Sequence, residues 1–138
     1  MLFGSDKSKQ GRPSSTGVET LIGARVVIRG DVHFSGGLYI EGRIEGAVIA
    51  DEADPDALVT LSERGSIVGE VRAPHVVVNG QLQGDIHSSQ RIELAAAARV
   101  EGNVHYHTVE MQAGSLLTGR LIHVGGEPKR LSGPDAKD

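Results

Sequence analysis

Between positions 38 and 48 aliphatic and polar residues alternate, with Leu38, Ile40, Ile44 and Val48 on even positions and Tyr39, Glu41, Arg43 and Glu45 on odd ones. A period of two puts the aliphatics on one face of extended chain, which is a strand signal and not a helical one. Gly42 and Gly46 share the parity of the aliphatics. At such places the backbone bends, or a neighbouring segment approaches too closely for a side chain. The stretch therefore reads as short strand, bend, short strand.

The same unit recurs along the chain. An aliphatic residue two before and two after a glycine is found at 28–32, 44–48, 67–71, 82–86, 100–104 and 117–121, centred on Gly30, Gly46, Gly69, Gly84, Gly102 and Gly119. The spacings of these glycines are 16, 23, 15, 18 and 17 residues. The long one contains the acidic run 51–57, with Asp51, Glu52, Asp54 and Asp56, which reads as an outward loop added to one repeat. A period near 17 residues with short alternating runs inside it predicts an all-β fold. The expected architecture is a single-stranded, right-handed parallel β-helix of three short strands per turn and about six turns. With strands about 4.8 Å apart, six turns make a rod roughly 28 Å long, filled by stacked Val, Ile and Leu.

Composition supports a narrow interior. The chain has two Phe, two Tyr and no Trp, too few rings for a wide sandwich or barrel core, and its nineteen glycines show no collagen period. There is no cysteine, so disulfide and thiolate chemistry are excluded. No apolar run approaches the about 18 residues of a membrane span, and residues 1–17 lack the apolar middle of a secretory signal. The expectation is a cytoplasmic protein.

Three segments follow from these patterns. Residues 1–20 and 125–138 are rich in Ser, Gly, Pro, Lys and other polar residues and are expected to be disordered tails around a β-helix at 21–124. The first tail opens on Leu2 and Phe3 and continues with Lys7 and Lys9, the order of a weak membrane contact in which a small apolar insertion is helped by basic residues. All four lysines lie in the tails. Residues 17–124 set eight arginines against fourteen acids, so the surface there is acidic and a nucleic-acid groove is not expected.

Candidate chemistry is sparse. His105 and His107 are two apart, which would put both imidazoles on one side of a strand and offer two metal ligands; metal sites usually add a third. His33, His87 and His105 each follow the last aliphatic of a repeat and are expected to stack along one outer edge of the rod. The acidic run 51–57 lacks the glycine and terminal glutamate of an EF-hand loop. No Gly-Lys-Ser/Thr follows the glycine pairs at 36–37 and 125–126, and no serine has a base at motif spacing, so no nucleotide, cofactor or catalytic site is expected.

The repeats at 22–48, from Ile22 and Gly23 through 28–32 to 38–48, are similar to the opening motif of the bactofilins, bacterial polymer-forming cytoskeletal proteins; the looser copies at 65–71 and 114–121 fit the same repeat. The resemblance covers about 21–124. It implies a β-helix that assembles end to end into filaments without nucleotide, with the amino-terminal tail on the membrane. Such a protein would organise cell shape or localise client proteins from the cytoplasmic face of the cell membrane. The acidic run 51–57 departs from the compact repeat of that family.

Physics leads to the same assembly. A solenoid ends in unpaired backbone edges that must be capped or used. Here both ends are apolar up to the tails, so Ile22, Val26, Ile28, Leu116, Leu117, Leu121, Ile122 and Val124 are the expected polymer contacts. Two other readings compete: a β-solenoid enzyme with a histidine metal site, and a binding module that does not polymerise.

Overall fold

The computed structural model describes residues 18–124. The expected tail contacts Leu2, Phe3, Lys7 and Lys9 lie outside the described residues.

The alternating runs form eighteen short strands, three to a turn. The first turn contains β1 (Thr20–Ile22), β2 (Val27–Arg29) and β3 (Val32–Phe34). The second contains β4 (Gly37–Ile40), β5 (Arg43–Glu45) and β6 (Val48–Ala50). The third contains β7 (Leu58–Leu61), β8 (Ser66–Val68) and β9 (Val71–Arg72), and the fourth β10 (His75–Val78), β11 (Gln81–Gln83) and β12 (Ile86–His87). The fifth contains β13 (Arg91–Leu94), β14 (Arg99–Glu101) and β15 (Val104–Tyr106), and the sixth β16 (Thr108–Met111), β17 (Leu116–Thr118) and β18 (Leu121–His123).

Each strand pairs in parallel with the strand one turn away, giving three six-stranded sheets that wrap one core. The first sheet runs β1-β4-β7-β10-β13-β16, and the second and third collect the middle and last strands of each turn. The register aligns like with like: Ile44 on Ile67 and Leu82 on Val100 in the second sheet, Val48 on Val71 and Ile86 on Val104 in the third. The inward residues thereby form continuous stacks, among them Ile40, Leu61, Val78 and Leu94, all buried. Burying a side chain of this size contributes roughly 1.5–3 kcal/mol, which is how a core of aliphatics without rings suffices. Among the described residues the buried hydrophobics include no aromatic; Phe34 and Tyr106 are partly buried and pack against the cluster.

Glycine makes the corner between the second and third sheets. Gly84 has φ +144° and a Cβ built on it would collide with the carbonyl oxygen of Gly69 in the turn before; Gly46, Gly69, Gly102 and Gly119 repeat the arrangement. Absence of a side chain lets the turns approach to hydrogen-bonding distance at the corner, where the Gly84 N–H donates to the Glu101 carbonyl at 2.9 Å.

Residues 51–57 leave the rod between the third and first sheets, where the long glycine interval places them. The loop is tied back to the rod: Asp54 Oδ2 accepts the Gly36 N–H at 2.8 Å and its Oδ1 accepts the Asp56 N–H at 3.1 Å.

Candidate functional site

The parallel wrapping leaves two open ends. β1, β2 and β3 pair only with the second turn, and β16, β17 and β18 only with the fifth. At each end three strands present unpaired N–H and C=O groups along the rod axis, and among the described residues no element covers them. Inward positions in these turns are also incompletely covered. Leu121 occupies the same stack as the fully buried Val104 and Ile86 yet is 43% exposed, and Met111, which ends the stack of Leu94, is 43% exposed.

The eight expected contacts fall into distinct positions. Ile28 and Leu117 end the inward stack of the second sheet and are half-buried, whereas Ile22, also inward, is only 8% exposed. Leu116 is 54% exposed, but its register with Arg99 and Gln81 puts it on the outer surface of the second sheet. Ile122 aligns with His105 and likewise faces outward. Val26 sits exposed at the first corner, and Val124 is half-buried after β18. Reading from the sequence missed Met111, because the apolar run 116–124 leaves out the first strand of the last turn. It also missed the exposed Leu21 and Val27 of the first turn. Aligning the last turn on the fifth would have found Met111 beneath Leu94, whereas Leu21 and Val27, in register with Tyr39 and Arg43, are outward positions.

The histidines are arranged differently from the sequence expectation. β15 stops at Tyr106, and His107 lies at the bend into β16, so it does not share a strand face with His105. Its ring lies 5.9 Å from that of His123 in the next turn. The outer column of the third sheet does carry His33, His87 and His105 at one position, but Ile49 and Arg72 separate His33 from the other two.

His87 and His105 are in register on adjacent strands, and their rings stack with centroids 4.3 Å apart and planes 7° from parallel. His87 Nε2 is 2.9 Å from Glu70 Oε2, which also accepts from Arg72 at 2.7 Å. Partial burial lowers the His87 pKa from its ordinary value, helped by the nearby charges of Arg72 and His105 and opposed by Glu70 and Asp85. The imidazole is thus held neutral, donating through Nε2 to Glu70. Asp85, on the bend before β12, lies beside both rings: one ligand atom from each of Asp85, His87 and His105 falls within 4.8 Å of the others.

Comparisons with known proteins bear on the chain as a whole. The family model described as bactofilin, polymer-forming cytoskeletal, matches residues 20–122, which takes in every turn of the solenoid from β1 to the middle of β18. The chain is 24% identical over 124 residues to bactofilin BacP of Myxococcus xanthus (strain DK1622), covering 90% of this chain and 50% of that one. It is also 24% identical over 102 residues to bactofilin BacO of the same strain, covering 74% of this chain and 77% of that one. The chain thus spans about half the length of BacP. No solved structure gives a significant match. With a solenoid of two open ends and a family match along nearly its whole length, the chain belongs to the bactofilins, the polymer-forming cytoskeletal family.

Proposed function

We propose that the protein is a structural scaffold that polymerises end to end through its first and last turns, without nucleotide and without a catalytic step. The observation that carries this reading is the pair of open ends, each with three unpaired strand edges and incompletely covered apolar residues. Stacking one rod on the next continues the ladders and finishes burying Leu121, Met111, Leu117 and Ile28. Covering half of such a side chain is worth on the order of 1 kcal/mol, so several of them together with the ladder bonds favour association. Because the two ends differ from the flanks, repeated end contacts build a line and not a closed ring. The terminal turns form the contact: Ile22, Ile28, Leu117 and Leu121 through their inward positions, with Val26 and Val124 beside them, while Leu116 and Ile122 lie on the outer surface of the last turn, outside the axial contact.

The filament is cytoplasmic and associates peripherally with the inner face of the cell membrane through the apolar tip Leu2 and Phe3, aided by Lys7 and Lys9. A single tip of this kind binds weakly, but a filament presents one per subunit, and multivalency converts weak contacts into stable attachment. On that surface it organises cell shape or positions client proteins.

The test is assembly of the purified chain in nucleotide-free buffer, followed by light scattering and negative-stain microscopy. Filaments of uniform width are expected; a chain that remains monomeric at all concentrations overturns the reading and favours a discrete binding module.

A further inference from the structure

We infer that Asp85, His87 and His105 form a binding site for a divalent transition cation of the zinc class on the flank of the rod. The inference does not depend on polymerisation.

Two imidazoles and one carboxylate are a donor set that suits zinc, whereas calcium and magnesium prefer oxygen alone. The fold brings the three together by register. His87 and His105 occupy equivalent positions on β12 and β15, and Asp85 is two residues before His87. A zinc ion about 2.1 Å from each donor needs the donors about 3.4 Å apart in a tetrahedral arrangement. The ligand atoms already lie within 4.8 Å of one another. Each therefore moves by at most about 0.8 Å, and the nearly parallel rings rotate so that an in-plane lone pair of each meets the ion. Water takes the remaining position.

The surroundings match what metal-ligating histidines require. The His87 Nε2–H is engaged by Glu70, which fixes the tautomer and leaves Nδ1 with its lone pair available. Arg72 holds the same Glu70 oxygen. Asp85 Oδ1 accepts the Asn103 N–H at 2.9 Å, leaving Oδ2 for the ion. At the equivalent corner three turns earlier, Asp31 accepts the Ala47 N–H at 2.9 Å, so the bond to the next turn is a structural role shared by both acids. The neighbours differ: Ile49 stands opposite His33, so only at Asp85 do two imidazoles converge.

The full chain, stripped with chelator, is titrated with zinc chloride by calorimetry. One ion per chain is expected. His87→Gln and His105→Gln each weaken binding at least about tenfold, the smaller end of what loss of even an outer partner costs. Glu70→Ala weakens it by about 10–100-fold through loss of the orienting hydrogen bond. Asp85→Asn keeps the oxygen that Asn103 needs but removes the charge, and it also weakens binding. His107→Gln leaves binding unchanged. Circular dichroism confirms that each variant keeps the β fold. Absence of zinc binding, affinity in His87→Gln or His105→Gln equal to that of the parent chain, or a loss that follows His107→Gln instead overturns the assignment.

Discussion

Gly84 lies so close beneath the turn of Gly69 that a Cβ on it would overlap the Gly69 carbonyl oxygen, and its φ is +144°. The relationship propagates through five successive turns and sets how closely they pack. Gly84→Ala is expected to cost about 1–3 kcal/mol from backbone strain alone, with the collision adding to it. Gly23→Ala, with nothing within 4 Å of its Cβ position, should change stability little. Urea denaturation of the two variants side by side checks this; equal stability would show that the glycine column does not constrain the rod.

A charge in the uncovered end of an inward stack should stop assembly, whereas one on the flank should not. Leu121→Glu is expected to abolish filaments because Leu121 closes the stack of Val104 at the open end. Ile122→Glu points outward beside His105 and should leave end-to-end filaments in place. Microscopy of both variants decides whether the contact is axial or lateral.

Stability should fall off along one stack. Ile86 is fully buried in the fourth turn, and Ile86→Ala is expected to cost about 2–5 kcal/mol. Leu121→Ala in the same stack is already half-uncovered and should cost the isolated subunit about 1 kcal/mol. Chemical denaturation under conditions that keep the subunit monomeric separates the two.

The acidic loop should depend on one of its four carboxylates. Asp54→Ala orphans the Gly36 N–H and is expected to cost about 1–3 kcal/mol, whereas Glu52→Ala should stay within about 0.5 kcal/mol of the parent. Urea midpoints measure the difference.

Removing residues 1–4 should abolish co-sedimentation of the filaments with anionic liposomes while leaving filament formation intact. Equal sedimentation by the truncated chain would discard the tip as the membrane contact.

Much of the fold was legible because the signal is local and repeated. Six glycine-centred units at near-constant spacing identify a solenoid, and the 23-residue interval located the loop before β7. The site was less legible. The pair His105 and His107 looked like the closest two ligands, yet the corner after Tyr106 separates them, and the neighbour of His105 is a residue 18 positions earlier. Asp54 read as one acid among four, because its bond to Gly36 joins residues 18 apart.

By itself the sequence determined the repeat, the period, the inward face of the central repeats and the places where only glycine fits. Those properties follow from alternation and from backbone sterics, which act over a few residues. Tertiary structure alone decided which turn lies on which and in what register, and therefore which side chains share a column. That choice placed Leu121 inward and Ile122 outward, and it brought His87 onto His105. It depends on pairing between strands 15 or more residues apart, where a slip of one residue exchanges the buried face for the exposed one.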